Sequence, residues 1–157
     1  MYLRAQITHA RVAGFTLVEL LLTLVILGVI VAIAVPSYSK YRERTMIAQA
    51  VNDIAGMNVQ LQQYITENHH VAPDLSAIGA SGKLDPWGRA YVYVDIETAG
   101  VGGARKDKNL VPINTEFDLY SKGEDGVTAA PITATQSRDD VILANDGKYI
   151  GLASDYE

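Results

Sequence analysis

Apolar side chains follow two different patterns along this chain. Residues 20–35, LLLTLVILGVIVAIAV, carry no charge and one polar side chain, Thr23. Beyond Pro36 the pattern becomes a stripe at steps of three and four, through Ile47, Val51, Ile54, Asn58, Leu61 and Ile65, with Ala50, Met57 and Tyr64 beside it. The first pattern is a helix apolar all round, and the second is an amphipathic helix with one face to bury. One helix from Phe15 to about Glu67 satisfies both, with residues 15–36 as a membrane-spanning half and residues 37–68 as its amphipathic continuation. The first half would reach roughly 30 Å, the thickness of a bilayer's hydrocarbon core. The whole helix would measure roughly 80 Å, too long for a domain of this size to cover, so lipid or other subunits must bury its first half. Pro36 removes the hydrogen bond to the Ala32 carbonyl, and Gly28 costs about 1 kcal/mol relative to alanine, so the helix should be soft between them.

After the helix the period breaks at His69-His70-Val71-Ala72-Pro73-Asp74, and the stretch to Gly88 reads as a loop with a short turn at residues 75–78. Residues 91–96 and 117–121 are β-rich and flank a Gly-rich charged turn, which predicts an antiparallel pair. Residues 141–144 and 149–152, separated by Asn145-Asp146-Gly147-Lys148, predict a terminal hairpin, with loop at 122–138. The expected fold is α+β: a long N-terminal helix packed on a small antiparallel sheet, with residues 69–157 as the globular part.

Composition narrows the function. The formal charge of -5, with no basic stripe, argues against nucleic acid as the partner. With no cysteine there is no disulfide, thiolate metal site or Cys nucleophile. His69 and His70 are the only general-base candidates beyond the first residues; as neighbours on a helix they would point about 100° apart, and Asp74 adds no nucleophile, so no enzyme is expected.

The N-terminus adds chemistry. Residues 1–14, MYLRAQITHARVAG, hold Arg4 and Arg11 and no acid, as in a short cytoplasmic leader. A secretory signal peptide would have a shorter apolar run and an A-x-A-like cleavage site, which residues 36–39 do not provide. Lys40, Arg42 and Arg44 roughly balance Arg4 and Arg11, so charge does not fix orientation. Glu19 stands out because an ionised carboxylate at membrane depth costs a few kcal/mol unless it is paired or reaches the interface. It could interact with its own helix N-terminus, or with a free amine on Phe15 created by cleavage after Gly14, in its own chain or in a neighbour.

The segment Gly14-Phe15-Thr16-Leu17-Val18-Glu19, followed by an apolar helix with Gly28 and Pro36, resembles the class III signal of type IV pilins and pseudopilins. That resemblance implies cleavage between Gly14 and Phe15 by a prepilin peptidase and methylation of the new Phe15 amine. It also implies that Glu19 attracts a neighbour's amine to set register in a filament core, and that the stretch from Gly28 to Pro36 tends to unwind there.

The second half is similar to the major pseudopilin of type II secretion systems, through Asp85-Pro86-Trp87-Gly88 before a Tyr-rich strand and residues 117–126, FDLYSKGEDG. The resemblance implies a homopolymer at the bacterial inner membrane with its C-terminal domain periplasmic, working with minor pseudopilins and an assembly platform to drive secretion. A type IV pilus subunit is the alternative. It further implies calcium, held by Asp125 and Asp140 with Asp139 as alternate, Ser121, and the carbonyls of Lys122 and Val141; calcium takes six to eight such oxygens. Two features depart from the family pattern: residues 127–138 form a longer excursion, and Leu143-Ala144-Asn145-Asp146 replace a common Trp. DPWG itself reads as a β-turn anchored by an indole. A calcium clip would stand in for the disulfide that closes many type IVa pilins.

Overall fold

The computed structural model describes residues 14–156, so the expected leader lies outside the described residues apart from Gly14. The chain divides into two units, residues 1–41 and 42–157, and helix α1, Leu17–Asn68, contributes to both.

In the first unit α1 is apolar and unpacked: Leu17, Val18, Leu20 and the large apolar residues through Val35 are all exposed. It is long and apolar enough to cross a membrane by length and composition. The helix runs through Pro36 without a break. Its hydroxyls are absorbed by its own backbone, Ser37 Oγ donating to the Ile33 carbonyl at 2.9 Å and Thr23 Oγ1 to that of Leu20 at 2.8 Å. Such back-bonding hides polar groups that lipid would not solvate.

In the second unit the line of full burial runs Ala50, Ile54, Met57, Leu61, at steps of four, three and four. The expected stripe is therefore rotated slightly: Asn58 lies at its edge, half-buried, while Ala50 and Met57 move to its centre. The helix ends where Asn68 Nδ2 donates to the Tyr64 carbonyl and His69 turns left-handed at φ 60. His70 Nδ1 faces the Val71 carbonyl at 2.9 Å, so both histidines belong to the helix exit.

The predicted turn appears as a 3-10 turn, Leu75–Ile78, capped by Asp74. Four strands follow, β1 Val92–Asp95, β2 Phe117–Ser121, β3 Val141–Ala144 and β4 Tyr149–Leu152, in the order β1-β2-β3-β4 with every pair antiparallel. Residues 117–121, 141–144 and 149–152 are strands as expected. The first strand stops at Asp95 because its carboxylate accepts from the amides of Glu97 and Thr98 and starts a short helix α2, Ile96–Ala99. A capping acid overrides the β-propensity of Ile96.

Strand alternation sends Phe117, Leu119, Val141 and Leu143 toward α1, where they join Ile54, Met57 and Leu61 in one core. The opposite face carries Tyr120, Ile142 and Ala144, with Ile113, Ile132 and Ala153 closing over them. Both faces are thus covered, and all of β2 and β3 is buried. The second cover comes from residues 104–116 and the 127–138 excursion, linked where the Lys106 amide donates to the Ala130 carbonyl and the Ile132 amide to the Lys106 carbonyl, each at 2.9 Å.

Candidate functional site

The start of α1 is capped reciprocally. Thr16 precedes the first helical residue, and its Oγ1 accepts from the Glu19 amide at 3.2 Å, while Glu19 Oε2 accepts from the Thr16 amide at 2.8 Å and the Thr16 hydroxyl at 2.9 Å. This is a capping box, which satisfies two donors that the first helical turn leaves free. Glu19 thus interacts with its own helix N-terminus, one of its two expected partners. Just upstream, Phe15 is 85% exposed, and a Cβ on Gly14 would meet nothing within 4 Å. Packing among the described residues therefore places no demand for glycine at position 14, and a requirement for it would come from an enzyme that reads the site.

The second constellation lies in unit 2. Asp85 opens the DPWG turn: its Oδ1 accepts from the amides of Trp87 and Arg89 at 3.1 and 2.8 Å, and its carbonyl from Gly88 at 2.9 Å. Its other oxygen accepts from Ser121 Oγ at 2.5 Å, at the end of β2. Arg89 continues the link, donating to the carbonyls of Gly123 and Glu124 at 2.6 and 2.9 Å. The two segments that resemble the pseudopilin pattern are thus tied together through Asp85 and Arg89.

Around the expected calcium loop, each ligand has a protein partner. The Lys122 carbonyl accepts from the Gly126 amide, and Asp125 Oδ1 accepts from Val127 at 2.7 Å. Asp139 Oδ2, the alternate, accepts from the Asp125 amide at 3.0 Å, so Asp139 and not Asp140 faces that loop. Ser121 is turned to Asp85. Val141 lies in β3, paired with Leu152.

Asp140 is turned to a buried guanidinium. Its Oδ2 accepts from Arg105 Nη2 and from Thr128 Oγ1, both at 2.6 Å, and residue exposures are 3% for Arg105 and zero for Asp140. Arg105 Nη1 donates to Thr128 Oγ1 and to the Ala129 carbonyl. The guanidinium lies 4.4 Å from the centre of the Tyr120 ring. The Arg105 amide donates to Asp118 Oδ2 at 2.5 Å, and Asn114 Nδ2 donates to Asp118 Oδ1 at 2.9 Å. Burial pushes the carboxyls of Asp118 and Asp140 above the usual range, and the hydrogen bonds and the guanidinium offset only part of that. Among the described residues no three acids or histidines converge.

Calcium held by Asp140 therefore does not fit this arrangement, whereas Asp139, the alternate acid, stands beside Asp125 at the loop. A dication on Asp140 would share its carboxylate with a cation already bonded to it, in a medium where like charges repel strongly. One Asp140 oxygen, Oδ1, is buried without a partner.

Sequence reasoning missed Asp85, Arg89 and Arg105 as organisers. Asp85 had a signal, an acid followed by Pro and a Gly two residues later, which invites an Asx-type turn. Arg105 had none, because a charge in a Gly-rich turn ordinarily faces water.

Residues 9–35 match the family profile described as the prokaryotic N-terminal methylation motif. The chain is 31% identical to the type II secretion system core protein G of Escherichia coli (strain K12) over 134 residues, 72% of this chain and 82% of that protein. It is 28% identical to the type IV major pilin protein PilE of Neisseria gonorrhoeae over 149 residues, 86% of each. It is 28% identical to the type IV major fimbrial protein FimA of Dichelobacter nodosus over 127 residues, 78% of this chain and 75% of that one. No solved structure matches at comparable significance.

Proposed function

This chain belongs to the type IV pilin and pseudopilin family, and within that family we propose that it is the structural subunit of a type II secretion pseudopilus. The supporting observation is the junction of the DPWG turn with the loop after β2, through Asp85 to Ser121 and Arg89 to the Gly123 and Glu124 carbonyls. The likeness to a secretion system core protein over most of both chains supports the same reading.

In this proposal the subunit waits in the inner membrane with the apolar first half of α1 in lipid and unit 2 in the periplasm. A prepilin peptidase hydrolyses the Gly14–Phe15 amide and methylates the amine it frees, the methyl leaving a sulfonium donor as the amine gives up a proton. Glu19, held until then by Thr16, exchanges that partner for the ammonium of a neighbouring Phe15 as the helix passes from lipid into a polymer. An ion pair formed at low dielectric is worth more than the cap it replaces, provided both charges are desolvated together. The apolar face that lipid covered becomes the filament core. Copies of itself, minor pseudopilins and an inner-membrane assembly platform are its partners.

A second reading, a surface type IV pilus subunit, is supported by the length over which the chain matches gonococcal pilins. Deleting the gene and assaying both phenotypes separates the two. Loss of secreted proteins from the medium with surface fibres unaffected is the expected result. Loss of long surface pili at native expression, with secretion intact, overturns the secretion assignment.

A further inference from the structure

We infer that the Arg105 guanidinium is the internal clip of this subunit, doing the work for which calcium was expected, so that the globular unit folds and assembles without that ion. The inference concerns unit 2 alone and holds for either kind of filament.

Arg105 joins four parts of the chain that are distant in sequence. Its guanidinium reaches Thr128 and Ala129 in the excursion and Asp140 at the entrance to β3. Its face covers Tyr120 and its amide binds Asp118, both in β2. Its carbonyl accepts from the Ile113 amide at 3.0 Å, which closes the 105–113 turn back on itself.

The chemistry also accounts for the excursion. A calcium ion draws in carbonyls and carboxylates from a short loop, but a guanidinium is a planar fork that needs acceptors spread along its edge. Residues 127–138 bring such acceptors, the Thr128 hydroxyl and Ala129 carbonyl, to the Nη1 side, while Asp140 takes the Nη2 side. The longer connection and the buried arginine are thus two parts of one device. A buried pair of this kind is costly to break on one side only, because the remaining charge is stranded; removing both charges together is far less costly.

The test uses the full chain, purified in detergent micelles and melted while following near-UV circular dichroism. The wild-type melting temperature should be the same in excess EGTA and in excess calcium. Arg105→Met should lower it by about 10–20 °C, and the double variant Arg105→Met/Asp140→Leu should recover at least half of that loss. Should Arg105→Met fail to accumulate, restored accumulation and protease resistance in the double variant give the same reading. A wild-type melting temperature that falls with EGTA and returns with calcium overturns the inference, and so does a double variant no more stable than Arg105→Met.

Discussion

Thr16 and Glu19 hold each other at the mouth of an apolar helix, the hydroxyl of one accepting from the amide of the other while the carboxylate accepts in return at 2.8 and 2.9 Å. Glu19 is therefore both a cap in the unprocessed chain and the proposed charge partner of Phe15, and the two roles can be separated. Glutamine at position 19 keeps an acceptor for the Thr16 amide but carries no charge. Glu19→Gln should insert into the membrane normally and lose filament assembly to the same extent as Glu19→Val. Normal filaments from Glu19→Gln, counted by electron microscopy, would refute the charge-pairing role.

Because no described residue packs against Gly14, its replacement should block processing while leaving the fold of the subunit as it is. Gly14→Val is expected to leave an unprocessed, unmethylated chain anchored in the membrane, with a melting temperature within about 2 °C of wild type for the globular unit. Intact-mass spectrometry checks this directly. A mature chain carrying one methyl on Phe15 from the variant would rule out the assignment of the cleavage site.

Gly123 has φ +62, and a Cβ there would lie 2.2 Å from the Asp139 carbonyl oxygen. Gly79 has a similar φ of +70 but open space around it. Alanine at Gly79 should cost only the left-handed strain, about 1–2 kcal/mol. Alanine at Gly123 should cost a further 1–3 kcal/mol, because the carbonyl it meets is backbone and cannot rotate away. Denaturant midpoints of the two variants measure the difference, and equal midpoints would contradict the close approach of residue 139 to the loop.

Burial raises the carboxyls of Asp118 and Asp140 in the fold. With unfolded values near 3.9, the stability these groups contribute is complete below about pH 4 and is lost as pH rises through their raised folded values. Asp118→Asn removes one such group and loses one hydrogen bond, because an amide nitrogen cannot accept, so wild type should lead the variant most near pH 4 and by a shrinking margin toward pH 7. Thermal melts across that range report the sign. A margin that widens with pH would mean that the ionised carboxylate is favoured by the fold.

The sequence by itself determined the elements whose cause is local. A charge-free run makes a helix that seeks lipid, a three-four stripe gives that helix a face to bury, and β-rich segments between turn residues became β2, β3 and β4 at their expected limits. It likewise singled out Glu19, because an acid in an apolar run is conspicuous without any fold.

What only the tertiary structure decided are the pairings between groups distant in sequence. The 127–138 excursion covers the outer sheet face, Asp85 reaches Ser121, and Arg105 pairs with Asp140. A charged side chain reads as solvated until the chain folds around it. Whether Asp140 met calcium or a guanidinium depended on which loop arrived with acceptors on both sides of the fork, and that is a property of three-dimensional packing.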